Sequence, residues 1–284
     1  MADAKDIDDS LEFLRYFEKY TQNPDLGVLV QEKLSLDKKC LDLGHNKLRE
    51  EDFKALAAIE PLCRLESLNL NQTGLTSAGL KHLVGAKIFS NLKILSLANN
   101  NLDDEGIFYL SKSAHLSNLS ELSLNSNEIG MLGAKVLFSS PVVSGLTKLD
   151  LSHNRIEPLG IKAISEAPQK LPWRTLNLRD TCLGDDGLKQ IAKHVCLEEL
   201  ETLDLSDNSI TFAGLEALAR SNPFPKIKRL ILNNNPVGDD GIYALAQSDA
   251  FSTLQELTLL NASLTTDSAI SLAESKTMTG LKLL

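Results

Sequence analysis

The sequence predicts an α/β fold, a solenoid in which parallel strands alternate with helices, and three observations predict it. A leucine frame recurs ten times at an unbroken 27-residue interval, its first position reading Lys38, Leu65, Leu92, Leu119, Leu146, Trp173, Leu200, Ile227, Leu254 and Leu281. Three residues further on stands a leucine every time, from Leu41, Leu68 and Leu95 to Leu284. Each repeat then changes from an apolar spacing of two, which suits a strand, to a spacing of three, which suits one face of a helix. A fixed period of about 20–50 residues marks stacked units that each bury an apolar face on the next.

Within a repeat the order is L-x-x-L-x-L-x-x-N-x-L, as in Leu92, Leu95, Leu97, Asn100 and Leu102. Leu95 and Leu97 fall on one face of a short strand because side chains alternate across it. Nine such strands, each followed by a crossover helix, must run parallel. The asparagine position reads Asn46, Thr73, Asn100, Asn127, Asn154, Thr181, Asn208, Asn235 and Ala262. An interior amide there can bond the backbone of the turn leaving the strand. Threonine does part of that work and Ala262 none, so the ninth repeat is expected to be the loosest.

In the second half, Ile107 and Leu110 of one repeat match Ile242 and Leu245 of another. Just before them comes Gly79, Gly106, Gly133, Gly160, Gly187, Gly214 or Gly241, replaced by Asp52 and Ser268 in the first and last complete repeats. Glycine in a helix costs about 1 kcal/mol against alanine, so its recurrence implies a close approach of helix to strand layer. Asp104, Asp185 and Asp239, with Ser77 and Thr266 elsewhere, stand where helix N-caps are expected. One acidic pair per repeat lacks the ligand count of a calcium loop, so D-D-E-G and G-D-D-G read as capping.

The ends read differently. Leu11, Phe13, Leu14, Phe17 and Tyr20 fit a helix with an apolar face, capped by Ser10 or Asp9, and Leu26 and Leu29 are in phase with the later helices. Residues 1–37 are therefore expected to form an N-terminal helical cap, a degenerate zeroth repeat, with a docking helix as the sharper reading. At the other end the sequence stops two leucines into a tenth repeat, which is expected of a fragment or a weakly capped solenoid.

Hydrophobic content of 43% is ample for a core, and 5% aromatic content suits leucine stacking. A net charge of −9 disfavours nucleic acid, which demands a basic surface. No apolar run approaches the length of a membrane span. The acidic start is not a signal peptide. Cys40, Cys63, Cys182 and Cys196 form no C-x-x-C pair and read as free thiols in a reducing cytosol.

The frame with its following G-I/L-x-x-L helix resembles the ribonuclease-inhibitor-like class of leucine-rich repeats over residues 38–284, nine full repeats and the start of a tenth. The resemblance implies a horseshoe with a parallel sheet on the concave side and helices on the convex side. It also implies a protein-binding module with no chemistry of its own, no cofactor and no metal. The partner is a protein whose identity the sequence does not name, and a monomer is expected.

Two outward rows of the sheet can be read by register. Asp42, Asn69, Ser96, Ser123, Asp150, Asn177, Asp204, Ile231 and Thr258 form one; Gly44, Asn71, Ala98, Asn125, Ser152, Arg179, Ser206, Asn233 and Leu260 form the other. Both are small, polar and free of aromatics, whereas hot spots are rich in Trp, Tyr and Arg. Arg229, Ile231 and Leu260 on the last two complete strands are the best contact patch. Asp150, Asp180, Asp204 and Asp207, interrupted by Arg179, form an acidic middle able to steer a basic partner.

Asp150, Ser152 and His153 invite a catalytic triad, but neighbours along a strand point to opposite faces and place Ser152 badly against His153. His45 and His153 lie four repeats apart, roughly 19 Å at strand spacing, too far for a shared metal. The chain is therefore expected not to be an enzyme. An alternative is similar to the Ran GTPase activators, with Arg49, Arg155 and Asn99 on loops or rims able to complete another protein's site. The strict register also resembles that of leucine-rich repeat effectors which bacteria deliver into host cytosol, and that of eukaryotic cytosolic scaffolds.

Overall fold

The computed structural model describes residues 23–166, 170–193, 197–221 and 223–282. The helix expected over 11–20, together with Cys196 and Leu284, lies outside them. Nine strands form one parallel sheet in chain order: β1 (Cys40–Asp42), β2 (Ser67–Asn69), β3 (Ile94–Ser96), β4 (Glu121–Ser123), β5 (Lys148–Asp150), β6 (Thr175–Asn177), β7 (Thr202–Asp204), β8 (Arg229–Ile231) and β9 (Glu256–Thr258). Every strand pairs with the next at a shift of 27 residues, Leu68 beside Leu95 and Leu203 beside Leu230. The sheet lines the concave side of the solenoid.

Helix α1 (Pro24–Lys33) precedes β1, and one helix follows each strand: α2 (Glu50–Leu56), α3 (Ser77–Val84), α4 (Asp104–Ser111), α5 (Met131–Phe138), α6 (Glu157–Ser165), α7 (Gly184–Ala192), α8 (Phe212–Ala219), α9 (Gly238–Ala246) and α10 (Thr266–Ala273). The leucine at the fourth frame position is at most 3% exposed in all nine strands. Burying each such side chain contributes about 1.5–3 kcal/mol, so the inward stack is the main source of stability. Trp173 replaces one frame leucine, is fully buried, and donates its indole N–H to Val143 O at 3.0 Å. In α1, Leu26 and Val30 are buried.

Each strand ends at one left-handed residue. His45, Gln72, Asn99, Ser126, His153, Asp180, Asp207, Asn234 and Asn261 occupy the same place in successive repeats, with φ between 51° and 62°. Short polar side chains tolerate this region best, which accounts for most of the row. The residue turns the chain out of the sheet while its N–H still donates to the next repeat, as in His153 N to Arg179 O at 2.9 Å.

The asparagine row behaves as the sequence suggests and does more. Asn100 Nδ2 donates to Leu97 O and Ala98 O of its own turn and to Leu70 O of the repeat before, at 3.0, 3.2 and 2.8 Å. Its Oδ1 accepts the N–H groups of Thr73 and Leu75 at 3.0 Å each. Asn127, Asn154, Asn208 and Asn235 bridge neighbouring repeats in the same way. Thr73 and Thr181 donate to their own turn, to Leu70 O and Leu178 O, and more weakly to Asn100 Oδ1 and Asn208 Oδ1 of the next repeat, but carry no second donor to reach back to the repeat before.

Two expectations about the helices are corrected. Except for Gly187, which meets Leu183 of its own repeat, the recurrent glycines meet the neighbouring helix, not the strand layer. A Cβ on Gly133 would sit 2.5 Å from Asp104 Oδ1 and 3.2 Å from Asp104 Cα; on Gly106 it would sit 2.5 Å from Ser77 Oγ. In α3, α4, α8 and α10 the side-chain N-caps are Thr76, Asp103, Thr211 and Thr265, one residue ahead of the row expected, while α7 and α9 start after Leu183 and Val237 with no side-chain cap. The aspartates of that row cap the following helix instead. Asp104 Oδ1 accepts Gly130 N–H at 2.7 Å. Asp185 accepts Thr211 N–H and Gly214 N–H through Oδ1 and the Thr211 hydroxyl through Oδ2. The physical reason is that successive helices lie side by side with their N-termini level, so a first-turn carboxylate faces the free N–H groups and positive dipole end of its neighbour.

Where glycine is absent, the same contact explains the substitute. Ser268 donates its hydroxyl to Asp239 Oδ1. Asp52 instead faces Asn23 of the N-terminal segment and accepts Arg49 N–H at 2.9 Å.

Candidate functional site

Alternation along each strand sends the third, fifth and seventh frame positions, which flank the inward leucines at the fourth and sixth, to the concave face, where surface chemistry can act. The earliest of these positions, with the residue just before each strand, forms ion-pair ladders across the sheet. Glu66 lies 2.6 Å from both Lys39 and Lys93, Glu121 faces Lys148 at 3.8 Å, and Glu201 lies between Arg174 and Lys228. Lys39, then Lys93, hold the Glu66 carboxyl below its ordinary value, and Lys228 does the same for Glu201.

Of the candidate contact residues, Arg229 and Ile231 stand on β8 and Leu260 follows β9. Leu260 is 68% exposed, while Ile231 is half-buried. Arg229 is not a free cation, because its guanidinium lies 2.6 Å from Glu256. Arg179 and Asp207 are brought together as an ion pair, Nε to Oδ2 at 2.8 Å, and Asn234 also donates to Asp207 Oδ1. Asp150, Asp180, Asp204 and Asp207 occupy three consecutive repeats, and of these Asp207 is paired with Arg179.

The triad arrangement is not formed. Ser152 donates its hydroxyl to Asp150 Oδ1 at 2.7 Å, while His153 Nδ1 lies 3.0 Å from Asp180 Oδ2 in the next repeat. His153 and His45 both sit in the left-handed row, and His45 Nδ1 lies 2.8 Å from Gln72 Oε1. Among the described residues, no group of three or more His, Cys, Asp or Glu is placed to hold a metal ion.

On the loops, Arg155 is 80% exposed with Nε 2.8 Å from Glu157 Oε1, whereas Arg49 lies against Glu51 and Asp52. Asn99 is a left-handed residue of the strand row. Cys40, Cys63 and Cys182 are free and exposed. Among the described residues no helix is long and apolar enough to cross a membrane.

The helix side also carries exposed apolar residues. Phe108, Leu132, Leu159, Tyr243 and Ile270 are exposed there, and a groove between α8 and α9 is lined by Phe212, Glu216, Arg220 and Tyr243. The signal was legible in one row: Lys54, Lys81, Phe108, Lys135, Lys162, Lys189, Glu216, Tyr243, Ile270, where three apolar residues interrupt charges.

Comparison with known proteins gives a matching family, described as Leucine Rich repeat, at residues 90–111, 115–138, 146–165, 174–192, 199–219 and 225–246. No curated protein matches the chain.

Proposed function

The chain belongs to the leucine-rich repeat family, a protein-interaction scaffold, and from that premise we propose that its contact surface is the C-terminal part of the concave face. The observation that carries this is Leu260, a large apolar side chain 68% exposed on a sheet face whose outward residues are mostly small, polar or ion-paired. Ile231 on the neighbouring strand extends the apolar area, with the Arg229–Glu256 and Arg179–Asp207 ion pairs beside it. An apolar centre ringed by polar groups suits a protein interface.

In this reading the module binds protein and not nucleic acid, in keeping with a net charge of −9, and works as a monomer in a reducing cytosol, in keeping with free Cys40, Cys63 and Cys182. Residues 1–37 serve as its N-terminal cap, and the helix in every repeat supports the ribonuclease-inhibitor-like class. The insertion-free register supports a bacterial effector acting on host proteins.

Affinity capture from eukaryotic cytosol with the Ile231→Asp, Leu260→Asp variant tests the surface. The expected result is loss of a partner that wild type retains, with unchanged thermal unfolding and with capture preserved in a Leu159→Asp, Tyr243→Asp variant of the helix side. Loss in the helix-side variant alone would overturn the reading.

A second reading, a GTPase activator, is favoured by one observation, the 80% exposure of the Arg155 side chain on its loop. It requires faster nucleotide hydrolysis by a small GTPase and loss of that effect in Arg155→Ala. Unchanged hydrolysis across a panel of small GTPases would remove it.

A further inference from the structure

Charge is distributed unevenly over the concave face. At the start of the strands the carboxylates are neutralised within the sheet, Glu66 by two lysines, Glu121 by Lys148 and Glu256 by Arg229. Further along, across β5 to β7, they are not. Asp150 accepts only from Ser152, Asp204 accepts the Ser206 N–H, and Asp180 meets the His153 ring. Among the described residues no lysine or arginine pairs with any of these three. The nearby Arg179 is engaged by Asp207.

A second, independent observation lies in the same place. Asp150-Leu-Ser152 and Asp204-Leu-Ser206 are the same segment in two repeats. In the first the serine hydroxyl donates to the aspartate at 2.7 Å. In the second the Ser206 hydroxyl has no partner, although Ser206 is only 1% exposed. Alternation along the strand puts its side chain on the concave face, between Arg179 and Asn233 in its row. A buried hydroxyl without a partner is costly, which is tolerable where a ligand supplies the bond.

We infer that this part of the concave face takes a basic segment of a partner protein, with lysine or arginine side chains on Asp150, Asp180 and Asp204, a polar group at Ser206 and an apolar side chain against Ile231 and Leu260. The inference rests on the concave contact surface proposed above and names its chemistry. Complementarity fixes the sign of the occupant. An acidic segment is repelled by three carboxylates, and a neutral one leaves them covered and unpaired.

Short synthetic peptides test it, each with a central leucine, flanked by lysines, by glutamates or by serines. Titration of the full chain is expected to give binding of the lysine peptide alone. The Asp150→Asn, Asp180→Asn, Asp204→Asn variant is expected to weaken it about tenfold or more. These substitutions keep the oxygen that accepts from Ser152 or Ser206, so folding is preserved. A helix-side variant removing the same charge, Asp240→Asn, Asp267→Asn, Glu274→Gln, separates local recognition from the overall charge of −9 and is expected to bind as wild type does. Equal binding by wild type and the triple concave variant, or equal weakening by the helix-side variant, would overturn the inference. Partner capture lost on changing Ile231 and Leu260, with no lysine-peptide selectivity, would leave the contact surface standing and remove only its basic occupant.

Discussion

Asn100 Oδ1 accepts the backbone N–H of Thr73, 27 residues earlier, at 3.0 Å, so one amide side chain closes its own turn and fastens it to the preceding repeat. With Leu75 N and three carbonyls it serves five backbone groups, and it is 7% exposed. Asn46, at the start of the array, is half-buried and donates to Leu43 O and Gly44 O. Removing a partner from buried polar groups costs about 1–3 kcal/mol per group at most sites. Asn100→Ala is therefore expected to destabilise by about 3 kcal/mol or more and Asn46→Ala by about 1 kcal/mol, as measured by denaturant unfolding. Equal costs would show that the bridge between repeats contributes little.

Gly133 and Gly241 occupy the same helical position and should respond oppositely to alanine. At Gly133 an added Cβ meets Asp104 Cα at 3.2 Å, a backbone atom that cannot step aside; at Gly241 the nearest atom is Leu215 Cδ1 at 3.3 Å, the tip of a side chain. Overpacking costs about 1–3 kcal/mol, against about 1 kcal/mol gained by replacing a helical glycine. Gly133→Ala should lower the unfolding midpoint, and Gly241→Ala should leave it unchanged or raise it.

Asp239 ties α9 to α10. The Ser268 hydroxyl, then the Thr265 N–H and hydroxyl, lower its pKa to about 2 from an ordinary 3.8. A carboxyl lowered on folding contributes stability that is fully present above its unfolded value and lost as pH falls through its folded one. Amide protection in α10 should therefore hold above about pH 4 and decline towards pH 2. In Asp239→Asn that decline should be absent, with protection lower at neutral pH. Identical pH profiles for the two proteins would contradict the inter-helix cap.

The period, strand register and inward leucines were legible because a stack repeats its burial constraints in every unit; the row from Leu41 to Leu257 needed no structure to be placed inside. What stayed hidden depends on how consecutive repeats touch. The sequence shows Asp104 near a helix start, but not that its carboxylate turns to Gly130 of the next helix. It shows His153 beside Ser152, but not the left-handed backbone that separates their side chains. Arg229 reads as a free cation in a list of residues, and only the pairing of β8 with β9 brings Glu256 against it. The apolar departures Phe108, Tyr243 and Ile270 are readable where other repeats carry charge, but the sequence alone does not show that they stand exposed on the helix side.

The most direct measurement is hydroxyl-radical footprinting of the chain alone and in complex with a captured partner. Leu260 and Tyr243 make the comparison internal, because they are 68% and 58% exposed on opposite faces. Oxidation of Leu260 should fall in the complex while that of Tyr243 stays constant. Protection of Tyr243 with Leu260 unchanged would place the interface on the helices and contradict the account.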